Sequence, residues 1–532
     1  MPRTSKSARQ EGGGSGAAAP SPPSARGVSL VAIALLLLAM VTAYMYPLLT
    51  AEPAVPELPD KWWSAGESPA RPDTSVQRYK IWAPAGTMDD IRSRLARAES
   101  RLAPPLEGSN FTYGFNSEQL KKVLDHWSTK YDWQKRLRAL NELPHFRTNI
   151  DGLDIHFVHV RPEVPSDQHQ VVPLLLLHGW PGSFVEFRRA LQLLSRPRPG
   201  HRVVFELICP SLPGYGFSSA AAKPGLGTPE VAAIMRKLML RLGFEKFFVQ
   251  GGDWGSMITN LMGTMYPDNV RGAHMNMVTP SSTSPRMWLL LAVGKLFPSV
   301  LGSEFFQKRY YPVGAFASQL ARETGYAHLQ ATKPDTVGVA LGDSPAGLAA
   351  YILEKFSSWT DMENVARPDG GLPGPYDIDD LLDNVMIYWV SNSITSSMRL
   401  YAESMGRRVA ELRLHDIPCR VPVGLLFADK EPYLFSPNML GNKFPDIVSA
   451  RELPEGGHFL AMEKPQLLVE HVFVTVSAIL QREERDREQQ KQTEQQQQQK
   501  QEQQQKQQEQ QKQQEQQKQK QQQKQKQQQK QA

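Results

Sequence analysis

The stretch Gly251-Gly252-Asp253-Trp254-Gly255-Ser256 constrains this chain more than any other. An apolar run, Lys246-Phe247-Phe248-Val249-Gln250, leads into it and reads as a buried strand. A small residue, a spacer, a nucleophile, a spacer and a small residue form a tight strand-to-helix elbow that lifts one side chain into a cleft. The glycines allow a strained turn and close packing of the backbones. Here the lifted residue is a carboxylate, where most such elbows carry serine. An aspartate in that seat attacks carbon directly and forms an ester. That narrows the chemistry to opening a strained ring or displacing a halide.

Such a nucleophile needs oxyanion donors, a base to activate water, and an acid to orient that base. The chain order of this architecture is nucleophile, acid, histidine. His458, in Glu455-Gly456-Gly457-His458-Phe459, follows the last predicted strand and fits the base. Two acids, Asp429 and Glu431, lie in the loop after the run Val421 to Phe427, and either suits the histidine ring. His178-Gly179-Trp180-Pro181, at the end of another strand, offers the backbone N–H of Trp180 to pair with that of Trp254. Pro181 has no N–H to give. Gly342-Asp343-Ser344-Pro345-Ala346 mimics a serine elbow, but the residue after Ser344 is a proline and supplies no oxyanion donor. That segment reads instead as a helix start, capped by Asp343 or Ser344 and opened by Pro345. No metal-ligand spacing, phosphate loop or dinucleotide fingerprint occurs, so neither a metal nor a cofactor is expected.

Between 151 and 285 apolar runs alternate with amphipathic stretches, which predicts a parallel sheet flanked by helices. Val172 to Leu177, Val203 to Pro210 and the run before Asp253 are its first strands; Val421 to Phe427 and Ile447 to Leu453 belong to a second part spanning 416–482. Residues 286–415 interrupt it with a mostly helical pattern, in which Thr336 to Leu341 is the one strand-like run. An insertion there is what a cap over an active site looks like. Residues 51–150 are dense in Trp, Pro and charge, with one helical stretch from Leu120 to Leu140, and are expected to pack on the body as a meander.

The ends differ in character. Residues 1–27 are rich in Ser, Gly, Ala and Pro and are expected to be disordered. Val28 to Leu49 contains no charge, and 28–50 supplies the roughly 20 apolar residues a single membrane-spanning helix needs. A cleaved signal peptide, with its shorter apolar core, is the alternative. Arg3, Lys6, Arg9 and Arg26 precede the span, which by the positive-inside rule places the N-terminus in the cytosol and the body across the membrane. The sequon Asn110-Phe111-Thr112 agrees with that orientation. Residues 483–532 are almost wholly Gln, Lys and Glu with no apolar stripe, and read as a disordered tail or a solvated helix. The net charge of +6 over 532 residues comes with no basic cluster in the body, which argues against nucleic-acid binding. Two cysteines, Cys209 and Cys419, read as structural thiols.

Leu140-Asn141-Glu142-Leu143-Pro144-His145-Phe146, His178-Gly179-Trp180-Pro181-Gly182-Ser183, the Asp253 elbow and Lys333-Pro334-Asp335-Thr336-Val337-Gly338-Val339-Ala340-Leu341 resemble the microsomal epoxide hydrolases and their insect juvenile-hormone relatives. The resemblance covers residues 28–482. It implies an α/β-hydrolase fold with a helical cap and an N-terminal transmembrane helix. It implies Asp253 as nucleophile, His458 as base and Glu431 as charge-relay acid, 27 positions before the histidine as in the family. It also implies Tyr326 and Tyr401 in the cap as proton donors to the epoxide oxygen, with Trp180 and Trp254 at the oxyanion hole. The substrate would be a small epoxide, hydrated to a diol in xenobiotic detoxification, with a juvenile-hormone-type terpenoid role as the alternative. The compartment would be the endoplasmic reticulum membrane with the body facing the cytosol, opposite to what the flanking charges indicate. The glutamine-rich tail and the Asp429-Lys430 pair before Glu431 depart from the family. More remote readings are a haloalkane dehalogenase, which shares the Asp elbow but needs halide-holding donors, and a catalytically dead membrane scaffold.

Overall fold

A computed structural model describes residues 52–164, 169–279, 285–372 and 374–531, together with Leu36, Leu37, Ala39, Met40 and Ala43. These five are helical and exposed; the rest of the expected span at 28–50, and the whole of 1–27, lie outside the described residues. Among the described residues no single helix is long and apolar enough to cross a membrane. The chain divides into two units, 1–53 and 54–532.

The larger unit is built on one nine-stranded sheet. Its strands are β1 (Val76–Arg78), β2 (His145–Ile150), β3 (Leu153–Val160), β4 (Gln170–Leu177), β5 (Val203–Pro210), β6 (Phe247–Gly251), β7 (Val270–Met275), β8 (Val423–Ala428) and β9 (Ile447–Leu453). They lie in the order β1-β2-β3-β5-β4-β6-β7-β8-β9. From β5 to β9 every pairing is parallel, whereas β1, β2 and β3 pair antiparallel and β3 joins β5 antiparallel. The wholly parallel sheet expected from the sequence is therefore a mixed one. The apolar residues Leu174 to Leu177 of β4 are almost completely buried, as a strand covered on both faces must be. β4 lies between β5 and β6, so successive connections leave it in opposite directions. That is the topological switch point where ligands bind at the carboxyl ends of the strands.

Among the described residues, the segment between β7 and β8 holds helices and turns but no strand. Thr336 to Leu341, the strand-like run, lies inside the helix Pro334–Asp343. Its buried residues are Gly338 and Leu341, three apart, while Val339 between them is 76% exposed, a helical rather than a strand period. Pro334 opens that helix at its first turn. The predicted single helix over Leu120 to Leu140 is two, Ser117–Thr129 and Trp133–Leu140, because Asp132 caps the second by accepting from the Lys135 N–H at 3.0 Å. Its Arg136 and the nearby Tyr131 both reach Asp383 on the helix Ile378–Ser391, which fastens the N-terminal meander to the helical insertion.

The last helix runs from Pro465 to Gln531. Its first turns bury Leu468, Val469, Val472, Phe473, Val476 and Ile479 against the sheet. From Glu484 to Lys526 every residue is exposed, so composition alone holds the helical conformation there; Gln, Lys and Glu are all good helix formers.

Candidate active site

β6 ends at Gly251 and the next helix starts at Trp254. Asp253, at the junction, has φ 51° and ψ −129°, a left-handed conformation that costs a non-glycine residue about 1–3 kcal/mol. The surrounding backbone holds it there. A Cβ on Gly255 would stand 2.0 Å from the Leu177 carbonyl oxygen, so the elbow helix packs directly on the end of β4. A Cβ on Gly179 would stand 2.1 Å from Asp253 Oδ1, so the carboxylate rests on the loop after β4. From that loop the Trp180 N–H donates to Oδ1 at 2.8 Å. Trp254 is the first residue of its helix, where an N–H has no intrahelical acceptor. His178 braces the loop: its Nε2 accepts from the Leu212 N–H at 3.1 Å, and its Nδ1 meets the Gly179 carbonyl at 3.0 Å. Burial holds the His178 ring down at about 4, so it is neutral, as these two bonds require.

On the other side of Asp253, His458 Nε2 lies 3.4 Å from Oδ2. The opposite ring nitrogen, Nδ1, lies 3.0 Å from Glu431 Oε2 and 3.1 Å from Oε1. Glu431 is 1% exposed and also accepts from the Tyr433 N–H at 3.1 Å. Asp429, the rival acid, faces Lys308 at 3.4 Å instead. The loop after β8 thus brings Glu431, and not Asp429, to the histidine. Burial alone would lower the His458 pKa, but the carboxylates of Glu431 and Asp253 outweigh it and hold the ring well above its ordinary value.

Tyr326, on the helix Gly325–Thr332, and Tyr401, on Ile394–Ser404, bring their hydroxyl oxygens to 3.4 Å from each other. Trp180 stacks on Tyr326 at 5.0 Å between ring centroids, and Trp254 meets Tyr401 edge-on at 4.6 Å. The two tryptophans whose amides were expected at the oxyanion hole therefore also seat the two phenols with their rings. Burial first, then neighbouring phenols and the Asp253 charge, push both phenols well above 10, so they stay protonated at neutral pH.

Other expected residues fall elsewhere. Ser344 caps the helix Pro345–Ser358, accepting from the Gly347 N–H at 3.0 Å. Cys209 and Cys419 are buried free thiols. The Asn110 side-chain nitrogen, where a glycan would attach, already donates to the Ala366 carbonyl at 2.7 Å. Among the described residues no group of His, Cys, Asp or Glu is arranged to hold a metal ion. The sequence reading missed Trp359, whose carbonyl accepts from the His458 N–H at 2.9 Å and whose ring packs on the imidazole at 4.8 Å. It also missed Arg309, whose guanidinium grips the Glu431 backbone. Neither carries a local motif.

Residues 76–187 match the family model described as epoxide hydrolase N terminus, and residues 172–465 match that of the alpha/beta hydrolase fold. Juvenile hormone epoxide hydrolase 1 of Ctenocephalides felis is 47% identical over 453 residues, 84% of this chain and 96% of its own. This chain belongs to the epoxide hydrolase family. Epoxide hydrolase 1 of Oryctolagus cuniculus is 44% identical over 78% of this chain and 92% of its own. The crystal structure of juvenile hormone epoxide hydrolase from the silkworm Bombyx mori superimposes with a TM-score of 0.77 at 44% identity, covering 80% of this epoxide hydrolase and 99% of the silkworm chain. Family membership replaces the dehalogenase and scaffold alternatives.

Proposed function

We propose that this enzyme hydrates epoxides to vicinal diols through a hydroxyalkyl ester on Asp253. The observation that carries the reading is one carboxylate with three neighbours. The Trp180 N–H holds Oδ1, His458 flanks Oδ2, and a pair of protonated phenols stands beside Trp180 and Trp254. Alkoxide is a poor leaving group, so ring opening needs a proton as the C–O bond breaks. Tyr326 and Tyr401 supply hydrogen bonds and that proton, while an Asp253 oxygen forms the new bond to the less hindered carbon. Esterification removes the negative charge of Asp253, one of the two carboxylates that hold the His458 proton. The imidazolium can then give up that proton, which restores the phenol that protonated the alkoxide, and the neutral ring is free to act as a base. Water gives its proton to His458 Nε2 and its oxygen attacks the ester carbonyl carbon. The oxyanion meets the Trp180 and Trp254 amides. The carbon–oxygen bond to the substrate breaks and the departing oxygen takes the proton from His458; the second water proton, left on the Asp253 carboxyl, passes to His458, so the diol leaves behind the Asp253 carboxylate and the imidazolium of the resting site. Glu431 keeps the ring oriented and stabilises its charged form throughout.

Detoxification of foreign epoxides in the endoplasmic reticulum membrane, with 28–50 as the anchor, is the role we propose. The resemblance to the microsomal enzymes and the uncharged run from Val28 to Leu49 support it. A terpenoid substrate of juvenile-hormone type is the second reading, favoured by the 47% identity to the flea enzyme. The test is His458→Gln protein incubated with styrene-type and terpenoid epoxides, followed by peptide mass spectrometry. An adduct of epoxide mass on Asp253 is expected to form and persist, and the panel ranks the two substrate classes. No adduct, together with wild-type enzyme making no diol from any member of the panel, overturns the proposal.

A further inference from the structure

The mechanism above leaves one requirement without a residue. Ester hydrolysis needs a water held on the His458 side of Asp253, and oriented toward the carbonyl carbon. A small pocket opens there, lined by Gly179, Trp180, Asp253, Asn276, His458 and the carboxyl-bearing Glu186. Its internal volume of about 10 Å³ is roughly that needed for a single water molecule.

Glu186 lies in the short turn Phe184–Phe187, directly after the loop that carries the Trp180 donor. Its side chain folds back over that loop so closely that a Cβ on Gly182 would stand 1.3 Å from its Oε1. The absence of a side chain at Gly182 is what lets the carboxyl lie there. Glu186 also lines a second, larger cavity of about 320 Å³ with Arg136, Arg188, Tyr376, Asp380 and Asp383. It is the wall shared between that charged basin and the one-water pocket. We propose that Glu186 is the water-positioning residue of the second half-reaction, holding the attacking water opposite His458 and drawing it from the basin. This rests on the ester mechanism proposed above. Burial pushes the Glu186 carboxyl up to about 8, so at neutral pH it carries a proton and can both donate to a water and accept from one. The competing role is purely structural, since the Ser183 amide also bonds this carboxyl.

The two roles separate kinetically. Substrate binding and ring opening set kcat/KM, because ester formation precedes water entry, while a slowed hydrolysis lowers kcat and KM together. Full-length wild type, Glu186→Gln and Glu186→Leu are compared in single turnovers with styrene oxide, reading ester formation and ester decay by tryptophan fluorescence and by quenched-flow mass spectrometry. For Glu186→Leu, ester formation is expected within about 2-fold of wild type and ester decay slowed at least about 10-fold, with kcat/KM retained. Glu186→Gln, which keeps hydrogen-bonding atoms, is expected to fall between the two. Unchanged decay in Glu186→Leu overturns the proposal while leaving the ester mechanism standing. So does an equal loss in both steps for both variants, the mark of a structural role. Wild type that turns over without any ester on Asp253 overturns both.

Discussion

Arg309 Nη2 donates to the backbone carbonyl of Glu431 at 2.5 Å, and its Nη1 to that of Asp429, so a helical-insertion side chain fastens the loop that carries the charge-relay acid. Two carbonyls two residues apart suit the planar fork of a guanidinium, which an ammonium cannot reproduce. Arg309→Ala leaves both carbonyls without this donor and lets the loop shift. The expected result is a fall in kcat of about 10-fold, with about 1–3 kcal/mol of stability lost. Arg309→Lys is expected to restore less than half of the lost kcat. Steady-state kinetics with thermal unfolding of both variants checks this, and full activity in Arg309→Ala would show that the loop holds Glu431 unaided.

The choice of acid gives a second test. Glu431 contacts His458 with both oxygens, whereas Asp429 pairs with Lys308, which is more than half exposed. Glu431→Gln keeps the shape and removes the charge that stabilises the imidazolium. It is expected to lower kcat by about 100-fold or more, mostly in ester hydrolysis. Asp429→Asn is expected to stay within about 2-fold of wild type, since its carboxylate faces Lys308 and not the imidazole ring. The reverse ranking would reassign the acid.

Tyr326→Phe and Tyr401→Phe should act on the other half-reaction. Each removes one hydrogen bond to the developing alkoxide, so each is expected to slow ester formation by about 10–100-fold and leave ester decay near wild type. The ring contacts with Trp180 and Trp254 survive in both variants, so folding should not change. Because the two phenols act on one oxygen, the double variant should lose far more than either single one. Single-turnover fluorescence separates the steps, and an effect confined to ester decay would remove the tyrosines from the acid role.

The elbow at Asp253, the histidine and the strands that carry them were legible because each has a local signature. The elbow needs small residues where a Cβ would collide with Leu177, and β4, β6 and β8 are apolar runs bounded by turns. β1, β2 and β3 were not read as strands. β2 is His-Phe-Arg-Thr-Asn-Ile and β3 includes Asp154 and two histidines, so their polar residues hide the pattern. Their burial comes from pairing beyond the local sequence: His145 and His156 hydrogen-bond each other at 2.9 Å, and Ser211 satisfies the far side of His156. The split between Asp429 and Glu431 was illegible for a similar reason. Two acids in one loop differ only in which side of the chain turns inward. The two tyrosines came from the resemblance to the family; nothing in their local sequence separates them from the other thirteen.

The buried histidines set the acid limit of stability. Burial holds His178 and His471 at about 4 and keeps His156 and His274 well below 6.5. In the unfolded chain these rings return to about 6.5. Between pH 6.5 and 4 the unfolded state therefore binds more protons than the native state, and stability falls as pH falls. His178 alone accounts for about 3 kcal/mol across that window. Glu463 and Glu186, pushed up by burial to about 7 and about 8, act with the opposite sign. They bind protons more tightly when folded, so they cost stability as pH rises from about 4.5 to 8. His458, held above its ordinary value, likewise loses its contribution as pH rises through its folded pKa. The thermal midpoint is thus expected to peak between about pH 6 and 7 and to fall on both sides. The acid limb should be the steeper, because it sums at least five rings, His145 being lowered by burial as well. Scanning calorimetry from pH 4 to 9 checks this, and a midpoint that stays level from pH 6.5 down to 4.5 would mean that these rings are charged in the native core.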